Sequence, residues 1–158
     1  MARNKDRHRL KCGKRVFTPL PRVLVESRSF AKLSAHAVKL FFDLMAQYRG
    51  FNNGDLSAAW KLMQARGWRS RDTLGKALAE LQEGGFIVKT RQGGLHKCSL
   101  FALAPYEIDE CLDKQGRSKF DAHMKPTSSP PDGWYRESLP ASSRLIPQEQ
   151  GAQQMANR

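Results

Sequence analysis

Two short stretches of the chain concentrate side chains that could contact a nucleic acid. The first reads RSRDTLGK and supplies Arg69, Ser70, Arg71, Thr73, Gly75 and Lys76. The second reads KTRQGGLHK and supplies Lys89, Arg91, His96 and Lys97. Arginine and lysine neutralise phosphates, and both can pair with guanine in the major groove. These ten residues therefore indicate DNA binding; which of them would contact bases and which phosphates stays open.

The residues that would support catalysis or metal binding are scattered. His96 and Cys98, two positions apart on one predicted strand, could supply two metal ligands, but no second pair accompanies them. The chain lacks the glycine-rich patterns that hold nucleotide phosphates, and no set of carboxylates or Ser, His and Asp suggests a reaction. We expect no enzymatic activity, no cofactor and no metal.

Positive charge is concentrated near the N-terminus. The chain has 27 Lys and Arg against 15 Asp and Glu, a net charge of +12, and residues 1–32 carry ten basic and two acidic side chains. We expect residues 1–16 to be a flexible basic arm that follows a DNA backbone or enters a minor groove. Its candidate contacts are Arg7, Arg9, Lys14 and Arg15. The alternative is a solvated tail that only adds solubility.

Cysteine number and hydropathy bear on location. The three cysteines, Cys12, Cys98 and Cys111, are odd in number and far apart, so neither a disulfide framework nor a zinc site is indicated. The first residues lack the apolar core of a signal peptide, and no apolar run approaches the ~20 residues that span a bilayer. We expect a cytoplasmic protein with no membrane partner.

Three predicted helices and a hairpin must position the two basic stretches. Each helix begins at a serine N-cap and ends at a glycine. The caps are Ser34, Ser57 and Ser70, and the glycines are Gly50, Gly67 and Gly84. Between the first two helices, Asn53-Gly54 favours a turn and residues 55–57 a very short strand. After the third, FIVKT, RQGG and KCSLFAL predict a strand, a turn and a returning strand.

The third helix has one apolar and one polar side. At 100° per residue its inner side holds Leu74, Ala77, Leu78 and Leu81, and its outer side holds Asp72, Gly75, Lys76, Ala79 and Glu83. A glycine within a helix costs about 1 kcal/mol relative to alanine. Two explanations of Gly75 stay open: close approach of the helix to DNA, and close packing against another helix.

The order of elements is that of a winged helix-turn-helix, whose third helix enters the major groove and whose hairpin is the wing. The sequence predicts a mainly α fold with a small β-hairpin over residues 17–108. Residues 109–158 are rich in Pro, Ser and Gln without sustained periodicity, so we expect a disordered tail. Its apolar island, Trp134-Tyr135, is a candidate docking motif for a protein partner.

Four motifs lie in order within residues 17–104. They are a Leu20-Pro21 lead-in, a Leu33-Ser34 helix start, an Asn52-Asn53-Gly54 turn, and the pattern from Thr73 to Ile87. With these motifs the chain resembles a bacterial group of winged helix-turn-helix proteins found on phages, plasmids and integrated elements. The resemblance implies a winged fold and DNA binding, in a regulator or a replication initiator. Trp68, in the turn between the second and third helices, departs from the pattern.

The sequence thus predicts a sequence-specific double-stranded DNA-binding protein that regulates transcription on a mobile element. One alternative is a plasmid or phage replication initiator that binds an origin. An alternative of another class is a winged-helix adaptor that binds proteins. A homodimer would have to form through the first helix, the lead-in or the tail, because no long heptad pattern is present.

Overall fold

The computed structural model describes residues 17–131 and 133–134. In this part of the chain the protein is a small mixed α/β fold with five helices and one two-stranded antiparallel hairpin. The elements in order are α1 (Arg22–Val25), α2 (Arg28–Ala31), α3 (Ala35–Met45), α4 (Trp60–Ala65), α5 (Arg71–Glu83), β1 (Ile87–Arg91) and β2 (Leu100–Leu103). None of these helices is long and apolar enough to cross a bilayer.

The longest helices, α3 and α5, pack against each other at the centre of the fold. Both begin at the predicted serine caps: Ser34 accepts a hydrogen bond from the Ala37 N–H, and Ser70 accepts one from the Thr73 N–H, each at 3.2 Å. Their buried apolar side chains share one core and include Leu40, Phe41, Leu44, Leu74, Ala77 and Leu81. The predicted inner side of α5 is confirmed, with Leu78 half-buried at its edge.

A carboxylate of α5 also fixes the start of α3. Both Glu80 oxygens accept hydrogen bonds from Ser34, one from its backbone N–H and one from its hydroxyl, each at 2.6 Å. The N-terminal N–H groups of a helix have no partner within the helix, so an acceptor from α5 stabilises α3 and sets its angle to α5.

The second helix begins two residues later than predicted. The N-cap of α4 is Ala59, and the Ser57 hydroxyl accepts only the Ala59 N–H, at 3.2 Å. The Gln47 amide holds residue 57 in place, since its nitrogen donates to the Ser57 carbonyl at 2.9 Å and its oxygen accepts from the Ser57 N–H at 3.0 Å. The prediction of Ser57 as the cap was wrong because these bonds, made across ten residues, outweigh the local capping preference.

The hairpin is joined on one edge by the residues before α4. In the hairpin, Ile87 lies opposite Leu103 and Lys89 opposite Phe101. Leu56 forms an isolated antiparallel bridge with Phe101, with N···O distances of 3.2 and 2.8 Å. The predicted short strand at residues 55–57 is therefore present as a single bridge, and it ties the turn before α4 to β2.

Asn53 lies in a turn, and its side chain also joins that turn to the backbone at the end of β2. Its side chain is fully buried, and its amide nitrogen donates to three carbonyls, those of Leu103, Tyr106 and Glu107, at 2.8 to 3.3 Å. Its side-chain oxygen accepts the Leu103 N–H at 2.7 Å. One side chain thereby satisfies the backbone that leaves β2, where no ladder partner continues.

The expected disordered tail is wrong for its first part. Residues 108–131 with 133–134, here called the C-terminal segment, pack against the hairpin and the core. Ile108, Cys111 and Phe120 form a second apolar cluster with Ala102 of β2. Burial, with smaller effects of Asp55 and Asp109, raises the pKa of the Cys111 thiol to about 11. The segment lacks periodicity because each apolar residue fills a separate gap on a surface made by distant residues.

Trp134 completes the main core. Its ring is 2% exposed and stacks on Phe86, with ring centres 6.4 Å apart and planes 13° from parallel. Gly85 and Gly133 permit this approach: a Cβ on Gly85, whose φ is +73°, would lie 2.6 Å from the Gly133 carbonyl carbon. Trp134, one of the two residues of the predicted docking motif, is therefore buried against its own chain.

Several predicted features lie outside the described residues. These are the basic arm, residues 1–16, with its candidate contacts Arg7, Arg9, Lys14 and Arg15, and residues 135–158, which include Tyr135. The predictions made for them stay predictions.

Candidate nucleic-acid interface

The outer face of α5 carries the first basic stretch. All five residues predicted to face away from the core are exposed: Asp72, Gly75, Lys76, Ala79 and Glu83. Arg69 and Arg71, at the start of the helix, are exposed as well, while Thr73 is half-buried. Nothing in the described part of the chain covers this face, so it presents two small residues, one lysine and two acids, with Arg69 and Arg71 exposed at its start.

Gly75 has no internal neighbour that requires a glycine. A Cβ built on its backbone meets no atom within 4 Å, and its φ is that of an ordinary helix. Of the two explanations that the sequence left open, close packing against another helix of this chain does not apply to the described residues. The explanation that stays open is an approach from outside.

Two positive side chains on this face are held by neighbours. The Arg71 guanidinium lies over the ring of Trp60, 5.3 Å from its centre, which orients it along the turn between α4 and α5. Lys76 pairs with Asp72 one turn earlier, at 2.8 Å, and hydrogen bonding to Asp72 raises the pKa of Lys76. Because this pair is solvent-exposed, it can open at little cost when another anion is offered.

Arg69, Ser70 and Thr73 border an open cleft of about 310 Å³ beside the start of α5. The other lining residues are His36, Lys39, Gly67 and Trp68. The Ser70 hydroxyl is the N-cap of α5 and accepts the Thr73 N–H, so this oxygen is used within the helix itself. Arg69 is the one charged residue of these three predicted contacts, and it is exposed.

A buried carboxylate that the sequence analysis missed fixes the geometry of this region. Asp43 of α3 is 5% exposed and accepts hydrogen bonds from Lys39 at 2.7 Å, Arg66 at 2.9 Å and the Trp68 indole N–H at 2.8 Å. Burial by itself raises the pKa of Asp43, but the bonds from Lys39, Trp68 and Arg66 outweigh it and lower the pKa. One sequence feature could have indicated this role: Asp43 is an acid on the apolar side of the first predicted helix.

This network explains the unusual tryptophan in the turn. Trp68 is 5% exposed, so the ring fills the core edge while its N–H binds Asp43. Lys39 lies over the same ring, 5.1 Å from its centre, and donates to the Arg66 carbonyl at 2.9 Å. The turn between α4 and α5 is therefore fastened to α3 by charge and aromatic packing together, which fixes where α5 begins.

The hairpin presents the second basic stretch unevenly. His96 and Lys97 are exposed at its tip, and Lys89 lies on the stem with its ammonium 3.0 Å from the Gln92 side chain. The Arg91 guanidinium donates to the Cys98 carbonyl across the hairpin at 3.0 and 3.2 Å. Arg91 therefore braces the stem, and the tip residues are the more available contacts.

The C-terminal segment supports the outer edge of the hairpin. The Asp121 N–H donates to the Thr90 carbonyl at 3.0 Å, and its carboxylate accepts the Gln92 N–H at 2.7 Å. The Thr90 hydroxyl donates to the Gly54 carbonyl at 2.6 Å. The stem is thus held from both sides, so its tip projects from a fixed base.

The structure brings the helix candidates together in the first turns of α5 and divides the hairpin candidates between the stem, with Lys89 and Arg91, and the tip, with His96 and Lys97. The described residues contain no group of three or more His, Cys, Asp and Glu that could hold a metal ion. Comparisons with protein-family models, curated proteins and solved structures found no match to the chain.

Proposed function

We propose that the protein is a winged helix-turn-helix protein that binds double-stranded DNA at specific sequences and regulates transcription of a mobile element. The observation that carries the proposal is the uncovered face of α5, where Arg71, Gly75 and Lys76 lie together while the opposite face is buried. Such a helix is anchored by its core side and offers the other side to a groove.

The topology supports this assignment. A helix, a single-residue bridge, a second helix, a short turn, a third helix and a hairpin follow each other in the order of the winged class. The bridge between Leu56 and Phe101 places the first extended segment beside the returning strand of the hairpin. The hairpin would then be the wing, and α5 the helix that reads the major groove.

The charge supports a polyanionic partner. Residues 17–131 carry 17 Lys and Arg against 11 Asp and Glu, so the folded part is basic even without the arm. Two buried or partly buried acids, Asp43 and Asp55, face internal cations and add little repulsion at the surface. Counterion release from phosphates would supply most of the sequence-independent affinity.

The chemistry of the α5 face supports base reading. Arg71, held over Trp60, can offer its guanidinium fork to guanine, and the Asp72–Lys76 pair can open so that Lys76 reaches a base or a phosphate. Gly75 and Ala79 would let the helix backbone lie near the floor of the groove. Arg69, beside the cleft at the start of α5, would contact a phosphate.

The experiment is selection of duplexes from a randomised pool with the full chain, followed by titration of the enriched duplex at several salt concentrations. We expect one enriched sequence and a binding constant that falls with salt. A steep salt dependence without sequence preference would defeat the specific-regulator proposal. Enriched sites repeated beside a replication origin would favour an initiator, and no binding to any duplex would favour the protein-binding adaptor.

A matched pair of variants separates base reading from general charge. Arg71→Ala should cost about 1–3 kcal/mol on the enriched duplex and relax the preference at one position. Lys114→Ala removes the same charge from an exposed loop of the C-terminal segment and should change affinity far less. Equal losses in the two variants would show that Arg71 contributes charge only.

A further inference from the structure

Leu95 occupies an unusual place at the tip of the hairpin. Its side chain is 94% exposed, and the next most exposed large apolar residue among those described, Phe51, is 69% exposed. The central positions of tight turns are usually taken by glycine, asparagine, aspartate or serine. A leucine at the outermost point of the hairpin buries nothing in its own chain, so its apolar surface is available to a partner.

Two backbone hydrogen bonds close the turn that carries Leu95. The Gly94 N–H donates to the Lys97 carbonyl at 2.8 Å, and the Lys97 N–H donates to the Gly94 carbonyl at 3.3 Å, which leaves Leu95 and His96 as the two central residues. Below it, the Gly93 N–H donates to the Ser99 hydroxyl at 3.0 Å.

The stem keeps the tip in a fixed position. Arg91 bonds across the hairpin to the Cys98 carbonyl, and the Asp121 carboxylate holds the Gln92 N–H from outside. A partner that meets Leu95 therefore meets a supported projection rather than a collapsing loop. A rigid projection loses little conformational freedom on binding.

Positive charge surrounds this apolar point. His96 and Lys97 adjoin it, and Lys89 lies further down the stem. Proteins that bend DNA from the minor groove combine cations, which contact the phosphates of both strands, with an apolar side chain that enters between two base pairs. The tip offers both, with the apolar group foremost.

Resting on the DNA binding proposed above, we propose that Leu95 is a wedge that enters the minor groove, partly unstacks one base step and bends the duplex. His96 and Lys97 then contact the phosphates on either side of the opened step. The wedge would favour steps that unstack easily, such as TA, so the hairpin would add sequence preference without hydrogen bonds to bases.

The test uses the full chain and the duplex enriched from the randomised pool, or a duplex with a central TA step if no sequence is enriched. Dyes at the two ends report bending by energy transfer, and 2-aminopurine placed at successive steps reports unstacking. We expect the wild type to shorten the end-to-end distance and to brighten 2-aminopurine at one step.

The variants separate an apolar wedge from a general contact. Leu95→Ala should abolish both signals and weaken binding roughly tenfold, with an unchanged salt slope because no charge is lost. Leu95→Met should keep both signals. Leu112→Ala, at an exposed leucine of the C-terminal segment, is the control and should leave both signals intact. Lys97→Ala should instead lower the salt slope by about one.

Four outcomes would overturn the wedge. Wild-type protein that binds without bending or unstacking contradicts it while leaving the proposed function intact. Bending that persists in Leu95→Ala contradicts it as well. Binding to vesicles of equal parts phosphatidylserine and phosphatidylcholine that is lost in Leu95→Ala, with DNA signals unchanged, would assign the tip to a membrane surface. If the wild type binds neither duplex, the proposed function and the wedge fail together.

Discussion

In the helical unit, formed by α3, α4 and α5, apolar side chains recur at three- and four-residue steps, whereas in the C-terminal segment single residues fill separate places. Leu74, Ala77 and Leu81 lie on one side of α5, which fits the periodicity of a helix. Phe120 and Trp134 occupy two different clusters fourteen positions apart in the chain. The comparison shows that a segment without periodicity can be as much a part of the core as a helix.

Removing the C-terminal segment is the strongest test of this comparison. A chain ending at Glu107 loses the contacts of Ile108, Phe120 and Trp134, and losing a buried Phe or Trp side chain typically costs about 3–5 kcal/mol. The total approaches the 5–15 kcal/mol that holds a typical domain together. We expect this truncated chain to lose cooperative unfolding in thermal or urea melts followed by circular dichroism.

A chain ending at Trp134 is the matched control, because it keeps Ile108, Phe120 and Trp134, which the chain ending at Glu107 lacks. We expect it to keep cooperative unfolding. If the chain ending at Glu107 unfolds like the full chain, the segment adds nothing to the core, and the tail predicted from composition would describe it better than the contacts do.

The Asn52-Asn53 pair compares two identical side chains at adjacent positions. Asn53→Ala leaves the Leu103, Tyr106 and Glu107 carbonyls without their buried donor, so we expect a loss of about 3 kcal/mol or more in the free energy of unfolding. Asn52→Ala removes two bonds at a half-buried position and should cost about 1 kcal/mol. Urea denaturation of both variants measures the difference.

A smaller loss for Asn53→Ala than for Asn52→Ala would mean that solvent replaces the buried bonds. The link between the turn before α4 and the backbone after β2 would then be incidental. In that case the bridge between Leu56 and Phe101 and the Thr90 bond to the Gly54 carbonyl would be the contacts that tie this turn to the hairpin.

Substitution of Asp43 tests how much charge, as opposed to apolar contact, stabilises the helical unit. Asp43→Asn keeps an acceptor for the Trp68 N–H but removes the negative charge between Lys39 and Arg66, so we expect a loss of about 2 kcal/mol at neutral pH. Glu26→Gln disrupts an exposed pair of the same spacing as Lys39–Asp43 and should cost at most about 0.5 kcal/mol.

The pH dependence of this variant has a definite sign. The pKa of Asp43 is lowered in the folded state, so its contribution is fully present above the ordinary value of 3.8 and disappears as the pH falls through the lower folded value. We expect the wild type and Asp43→Asn to converge in unfolding free energy below about pH 4. A gap that stays constant down to strong acid would show that the carboxylate charge is not the stabilising feature.

The parts of the molecule that could be predicted from sequence are those set by local pattern. The caps at Ser34 and Ser70, the inner side of α5 and the hairpin follow from spacing and residue type, and the structure bears them out. The cap at Ser57 failed because Gln47, ten residues earlier, holds the backbone there. A local preference of about 1 kcal/mol is easily outweighed by two distant hydrogen bonds.

The same reasoning explains what was missed in the candidate site. Arg66 and Trp68 lie 23 and 25 positions from Asp43, and Gln92 lies 29 positions from Asp121, so local sequence does not show that these acids bind them. The sequence did not indicate a role for Leu95, because a single apolar residue in a basic stretch produces no apolar periodicity. In the sequence, Arg91 and Lys97 were equal candidates for a DNA contact. In the structure, the Arg91 guanidinium donates to the Cys98 carbonyl and stabilises the hairpin stem.

Gly75→Ala is the smallest change and separates folding from function most directly. Because a Cβ at this position meets nothing within 4 Å, we expect alanine to raise the free energy of unfolding by about 1 kcal/mol through helix propensity alone. If the α5 backbone lies against a groove floor, the same methyl group should weaken binding to the enriched duplex by roughly fivefold, about 1 kcal/mol. The free energy of unfolding and the affinity for the duplex, measured on one variant, would then change in opposite directions.

A variant that is more stable and binds with unchanged affinity would place the groove contact elsewhere on α5, with Arg71 and Lys76 reaching across a wider gap. A variant that is less stable would mean that the helix around Gly75 departs from ordinary geometry, and the exposed face would then owe its glycine to folding rather than to a partner.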